Sequence, residues 1–139
     1  MVYTTKISCD KSNLKNVRDF VSGVLDNYRI PDVDINLVVV AIDEVCSNLM
    51  IHSHSCNNDE SIEVRVLNNG DSFVFEIIDT DEIFDIPNYD APTLDKIIKD
   101  KRSGGIGLIL VKKIMDEIQI EKNGSANVCR LFKTLGKAV

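Results

Sequence analysis

Three polar side chains recur every four residues in the middle of the chain: Glu44, Asn48 and His52. On a helix this spacing places them on one face, away from the apolar stripe to which Ile35 and Leu49 belong. A carboxylate beside an amide oxygen can organise a metal-bound water or orient a nucleophile, and the carboxylate can accept the proton of a hydroxyl. Taken alone, such a trio is more often a solvated helix face than a catalytic one.

Two further segments carry groups suited to a nucleotide. Asp79 ends the hydrophobic run Phe73–Ile78, where its carboxylate can accept a hydrogen bond from an exocyclic amine such as that of adenine. The turn Ser103-Gly104-Gly105-Ile106-Gly107-Leu108 leads into a helical pattern. Glycines allow the backbone to approach a ligand closely, and the free N–H groups of a helix N-terminus attract phosphate. Each segment by itself also fits a plain turn.

The hydrophobic periodicity predicts the elements that must position these groups. Residues 2–8 read as a strand, and helical patterns follow from about Leu14 to Leu25 and, after Asp34, from Ile35 to Leu49. Strand patterns at 62–67 and 72–79 are joined by a turn at Asn69–Gly70. After a polar stretch, 80–103, with a short helix expected near Thr93–Asp100, a helix from Gly105 to about Glu117 precedes strands at 118–122 and 126–135.

This order predicts an α+β domain, because consecutive strands joined by short turns pair antiparallel. We expect a two-layer sandwich, with a mixed, mostly antiparallel sheet and three main helices on one face. At 139 residues the chain fits a single domain, 1–139.

The composition narrows the class of function. A net charge of −6 argues against a general nucleic-acid binder, although Lys101 and Arg102 belong to a local basic cluster. No apolar run is long enough to span a bilayer and the N-terminus lacks the pattern of a signal peptide, which predicts a cytoplasmic protein with no membrane partner. Cys46 and Cys129 fall on apolar faces, where cysteine acts as a small hydrophobe.

Taken together and in this order, the segments resemble the ATP-binding domain shared by histidine kinases, DNA gyrase, Hsp90 and MutL. Within that superfamily the chain is most similar to the anti-sigma factor serine kinases. The stretch Ala41–His52 resembles the family's N box, Asp79–Asp85 its D-x-G-x-G-F-D segment, and Ser103–Asp116 its glycine-rich box with the following helix. Gly124–Lys133 is similar to the closing strand of the domain.

The resemblance implies a role for each matching residue. Glu44 would be the general base, Asn48 would hold Mg²⁺ at the phosphates of ATP, and Asp79 would read the adenine amino group. Gly105 and Gly107 would let backbone amides meet the phosphates, beneath a lid formed by residues 86–103. The other residues implied at the nucleotide are His52, Phe84, Lys101, Arg102, Gly104, Leu108 and Ser125.

Two functions follow, and the sequence leaves both open. The first is a kinase that transfers the γ-phosphate of ATP to a serine or threonine of an anti-sigma antagonist protein, and that binds a sigma factor. The second is a partner-binding switch that is catalytically weak or inactive, with altered or lost nucleotide binding. It is motivated by Asp81 and Ile83, which stand where the family has the two glycines of its D-x-G-x-G segment.

Two other interpretations concern metals and oligomers. A metal site built from His52, His54, Cys46 and Cys56 is unfavourable, because Cys46 and His52 point in different directions on a helix. Stand-alone relatives often dimerise, so a homodimer is also expected, although no interface can be named from the sequence.

Overall fold

The structure is a computed structural model that describes residues 1–52, 61–79, 105–123 and 126–136. Its sheet has five strands in the order β1-β2-β3-β5-β4, and every strand pairing in the described ranges is antiparallel. The strands are β1 (Val2–Ser8), β2 (Ser61–Asn69), β3 (Ser72–Asp79), β4 (Glu117–Asn123) and β5 (Ala126–Thr134).

In the described ranges three α-helices pack on one face of this sheet: α1 (Leu14–Asn27), α2 (Asp32–His52) and α3 (Gly105–Ile114). Their buried side chains join the inward-facing side chains of the strands in one hydrophobic core. The predicted fold class, a two-layer α+β arrangement with helices on one face, is therefore confirmed. No helix in the described parts of the chain is both long and apolar enough to cross a bilayer.

The predicted helix boundaries differ from the observed ones by up to three residues, and α1 and α2 both end later than predicted, at Asn27 and His52. Helix α2 begins at Asp32 rather than after Asp34, since the Ile35 amide already donates to the Pro31 carbonyl at 3.0 Å. Helix α3 ends at Ile114, three residues earlier than predicted. There the Asp116 amide donates to the Phe132 carbonyl at 2.8 Å, which turns the chain into the sheet. The helix expected near Thr93–Asp100 lies outside the described residues.

The inner face of the sheet follows from side-chain alternation along each strand. In β3, Phe73, Phe75 and Ile77 are fully buried under the helices, and Asp79 continues the same row. In β5 the corresponding row contains Asn127, Cys129 and Leu131.

The opposite face of the sheet carries a ladder of charges. Glu76 of β3 is only 8% exposed, although side-chain alternation places it on the face opposite Phe75 and Ile77. Arg130 of β5 donates to it at 2.7 Å and also pairs with Glu121 of β4. Arg65 of β2 lies 4.0 Å from Glu76 on its other side. The long side chains of Arg130 and Arg65 cover the Glu76 carboxylate and provide hydrogen-bond donors and positive charge to it.

We predict that Arg130→Met destabilises the protein by about 2 kcal/mol, because it removes the closest partner of a nearly buried carboxylate. The double variant Glu76→Leu with Arg130→Met should return close to wild-type stability, since no charge is then left without its partner. Urea denaturation of the three proteins measures both effects. A double variant as unstable as Arg130→Met would show that loss of packing, and not the unpaired charge, is responsible.

Candidate functional site

Helix α2 presents Glu44 and Asn48 on a half-buried face. Both residues are of intermediate exposure, one turn apart, while Ala41 and Val45 beside them are buried. The apolar residues at three- and four-residue spacing fix this rotation of the helix, because they must face the core. Glu44 and Asn48 are thereby held at the edge of the core, where a ligand can reach them.

The surroundings of Glu44 make it a better proton acceptor than a solvated carboxylate. Partial burial raises the pKa of Glu44 above its ordinary value, and the neighbouring Asp43 carboxylate raises it further. Asp43 itself faces α1, where its Oδ1 accepts a hydrogen bond from Arg18 Nη1 at 2.8 Å. That ion pair holds Asp43 away from the face of α2 that carries Glu44 and Asn48.

Asp79 lies at the end of β3 and is only 3% exposed. Its side chain belongs to the inward row of Phe73, Phe75 and Ile77, so the carboxylate lies between the sheet and the helices rather than in a solvent-exposed turn. This burial is unusual for an ordinary strand-ending aspartate in a turn, which was the alternative interpretation of Asp79. A buried carboxylate is suited to bind a hydrogen-bond donor of a ligand in a site of low polarity.

A second polar residue, Asn127 of β5, lies directly opposite Asp79 in the strand register. It is 8% exposed and shares the inward row with Cys129 and Leu131. The sequence analysis did not identify it. The available signal was the alternation of β5, in which Asn127 is an amide at a position that should be apolar.

The burial of two thiols shows how α2 lies over this end of the sheet. Cys46 of α2 and Cys129 of β5 are both fully buried and free. Burial is the main cause that raises the pKa of Cys46, with smaller effects of Asp43 and of the nearby Cys129; burial likewise raises the pKa of Cys129 to about 12. Cys46, which lies between Glu44 and Asn48 on α2, is therefore near Cys129, two residues after Asn127 on β5.

Helix α3 completes the described part of the site. It begins at Gly105, as predicted, and packs against α2. Its first turn contains Gly105, Gly107 and Leu108, whose backbone amides belong to a helix N-terminus. Such amides can bind anionic groups, because they have no partner within the helix.

Of the remaining residues predicted at the nucleotide site, His52 lies in the described part of the chain, where it is the last residue of α2. The metal alternative gains no support, since Cys46 points into the core and the described residues contain no cluster of metal-binding side chains. The predicted positions that lie outside the described residues are Phe84, Lys101, Arg102, Gly104, Ser125, His54, Cys56, Asp81 and Ile83.

Comparison with known proteins places this arrangement in a family. The sequence matches the histidine kinase-like ATPase domain over residues 7–133. The chain belongs to that family. The match covers most of the chain, and it includes the described elements that carry Glu44, Asp79 and Gly105.

Relatives within the family confirm the predicted resemblance to the anti-sigma factor serine kinases. A serine-protein kinase RsbW from Bacillus velezensis is 28% identical over 134 residues, which is 88% of this chain and 79% of that protein. The serine-protein kinase RsbW of Staphylococcus aureus is 27% identical over 124 residues, covering 81% of this chain and 74% of the relative.

Solved structures agree on the fold. A structure of the RsbU and RsbW domains of Rv1364c from Mycobacterium tuberculosis aligns with 97% of this chain and 32% of its own, at a TM-score of 0.67 and 17% identity. The SiaB–SiaC complex from Pseudomonas aeruginosa contains a chain that aligns at a TM-score of 0.62 and 13% identity, with 96% of this chain and 89% of that chain covered. At these identities the likeness concerns the fold alone.

Proposed function

We propose that this protein binds Mg²⁺–ATP and transfers its γ-phosphate to a serine or threonine of a protein partner, in the manner of the anti-sigma factor serine kinases it resembles. One observation carries the proposal. Cys46, which lies between Glu44 and Asn48 on α2, interacts with Cys129 of β5, and Asp79 pairs with Asn127, two residues earlier on β5. We infer that Glu44, the proposed general base, and Asp79, the proposed acceptor for the adenine amine, border one site.

The described groups fit ATP by their chemistry. Asp79 offers a buried acceptor to the adenine amine, and the first turn of α3 offers backbone donors to the phosphates. Asn48 is the residue that would hold Mg²⁺, because its amide oxygen is a hard ligand of the kind magnesium prefers. When bound, the metal would neutralise negative charge on the phosphates.

In this mechanism Glu44 takes the proton from the acceptor hydroxyl. A new bond forms between the hydroxyl oxygen and the γ-phosphorus, the bond from that phosphorus to the bridging oxygen breaks, and ADP leaves. The raised pKa of Glu44 makes the carboxylate a stronger base than a solvated one, which favours proton removal in the transition state. Backbone amides at the start of α3 would stabilise the charge on the moving group.

The surface beside Glu44 supports a protein as the acceptor. Val33, Leu37 and Val40 of α2 are exposed, and with Glu44 they follow helical spacing along one face. An exposed apolar stripe is typical of a surface that binds another protein. Asp32 and Asp34 border its first turn, so we expect the bound segment of the acceptor to carry lysine or arginine there.

The test is transfer of label from γ-labelled Mg²⁺–ATP to a purified protein of the anti-sigma antagonist class. We expect a phosphoserine or phosphothreonine on that protein that forms only when Mg²⁺ is present. Binding of a sigma factor by the same protein would be measured separately by co-purification. If the antagonist binds and ATP binds but no phosphate is transferred, the protein is a switch module and not a kinase.

A variant of the stripe tests its role in docking. Leu37→Gln should slow phosphotransfer at low acceptor concentration by about tenfold, since contacts at an interface hot spot contribute more than 1 kcal/mol. It should leave the stabilisation by Mg²⁺–ATP unchanged. Val2→Gln is the matched control, because Val2 is also exposed but lies on β1, in the opposite layer. Equal slowing by both variants would contradict docking on α2.

A further inference from the structure

Two consecutive acidic residues in the middle of α2, Asp43 and Glu44, face different neighbours. Successive residues of a helix point about 100° apart, so the two carboxylates lie in different surroundings. Glu44 belongs to the half-buried face to which phosphotransfer is assigned above. Asp43 instead points towards α1, where it meets a cation.

That cation is Arg18 of α1. Its Nη1 atom lies 2.8 Å from Asp43 Oδ1, and the side chains of Arg18 and Asp43 are 42% and 26% exposed. The two residues are 25 positions apart in the chain, so the contact forms only when α1 packs against α2. A short charge-assisted hydrogen bond of this kind holds the Asp43 carboxylate in one orientation, and its partial burial reduces screening by salt.

Few other charged groups lie on the elements packed around Glu44. Burial is the main cause that raises the pKa of Glu44, and the charge that raises it further is that of Asp43. The other charged or titratable side chains of α2 on either side of Glu44 are at least two helical turns away. The described charges on α3 and on the inward rows of β3 and β5 are Lys112, Lys113, Asp79 and Lys133.

We infer that Arg18 is a positioning residue for the proposed general base: by binding Asp43 it holds that carboxylate against α1 and balances its charge, so that Glu44 stays ionised at the pH of phosphotransfer. The inference rests on the proposed function and deepens it, because it assigns a part in the reaction to a residue of α1. A general base must be ionised to accept a proton, and an unbalanced like charge beside it favours the protonated form.

Removal of either partner should move the pKa of Glu44, and in opposite directions. Arg18→Met leaves the Asp43 charge unbalanced and should raise this pKa, whereas Asp43→Asn leaves the Arg18 charge unbalanced and should lower it. A unit charge about 8 Å away in a water-like medium changes the ratio of ionised to protonated carboxyl about 2.5-fold. The double variant should return close to the wild-type pKa, since both charges are absent. Arg18→Lys keeps the charge and should change the pKa little.

NMR titration of the Glu44 side-chain carboxyl carbon measures these changes in the free protein, without nucleotide or acceptor, and Glu44→Gln assigns the signal. Lys15→Met is the matched control. It breaks the 3.0 Å pair between Lys15 and Asp19 on the same helix, whose side chains are 75% and 65% exposed, and it should leave the pKa of Glu44 unchanged.

The pH dependence of single-turnover phosphotransfer, measured with saturating acceptor, should follow the NMR titration. On the acidic side of the profile, where Glu44 is mostly protonated, Arg18→Met should be about 2.5-fold slower than wild type and Asp43→Asn about 2.5-fold faster. At higher pH, where Glu44 is ionised in every variant, the rates should converge. Saturation with acceptor keeps any effect on docking out of the comparison.

A purely structural role for the ion pair predicts a different result. Arg18→Met and Asp43→Asn would then lower stability alike while the pKa of Glu44 stayed the same or moved in one direction, and the inference would be wrong. If Arg18→Met folds poorly, Asp43→Asn and Arg18→Lys still test the sign and the rescue. Opposite changes in pKa with no change in the acidic side of the rate profile would overturn the part of Arg18 in the reaction. A wild-type protein with no phosphotransfer at any pH would instead overturn the proposed function, and that part with it.

Discussion

Asp79→Asn should abolish the thermal stabilisation of this protein by Mg²⁺–ATP. A ligand at about one hundred times its dissociation constant stabilises the folded state by roughly 2.7 kcal/mol, which raises the melting temperature of a domain of this size by several degrees. Asparagine has nearly the size of aspartate, so packing at this buried position is retained. It would place either a weaker acceptor or an N–H donor against the adenine amine.

The measurement is thermal unfolding of both proteins with and without excess Mg²⁺–ATP. Asp71→Asn is a matched control, because Asp71 is an exposed aspartate in the turn before β3, at the other end of the strand. Mg²⁺–ATP should raise the melting temperature of Asp71→Asn as much as that of the wild-type protein. A shift of equal size in Asp79→Asn would exclude Asp79 as the base-binding carboxylate.

The same experiment separates the two proposed functions. Asp81 and Ile83 stand where the family pattern has two glycines, and Asp81 adds a negative charge to that segment of the sequence. If wild-type protein shows no shift, these substitutions have closed the site and a partner-binding switch is the remaining function. A shift that depends on Mg²⁺ and on Asp79 makes the search for the phosphorylated partner worthwhile.

Glu44→Gln should lower the rate of phosphotransfer by about 10²- to 10⁴-fold, the usual contribution of a positioned general base. Glutamine retains the shape and hydrogen-bonding capacity of the side chain but cannot accept the proton at neutral pH. Because Glu44 lies on the half-buried face of α2 and not among the fully buried residues, the substitution should leave the fold intact.

Single-turnover transfer of labelled phosphate to the acceptor measures this effect directly. The stabilisation by Mg²⁺–ATP should be the same in wild type and Glu44→Gln, which separates loss of chemistry from loss of binding. Asp26→Asn, which neutralises an exposed carboxylate on α1, should transfer phosphate at the wild-type rate. Transfer by Glu44→Gln at more than a tenth of the wild-type rate would mean that another group takes the proton.

Local patterns in the sequence were sufficient for the elements and for the family. Period-two runs predicted the strands, the three- and four-residue spacing of apolar residues predicted α1 and α2, and the glycine-rich turn predicted the start of α3 at Gly105. These features depend on residues close together in the chain, so they are readable without the fold. The helix ends were less accurate, because single hydrogen bonds such as that from the Asp116 amide to Phe132 decide them.

The tertiary structure decided which side chains become neighbours. The alternation of β5 shows that Asn127 points inward, but only the pairing of β3 with β5 places it opposite Asp79, a residue nearly fifty positions away in the chain. The ion pair between Arg18 and Asp43 and the half-burial that raises the pKa of Glu44 arise in the same way. They depend on how α1 and α2 pack, and packing is set by contacts between segments distant in sequence. The sequence by itself therefore determined the candidate groups, and the fold determined which of them share a site.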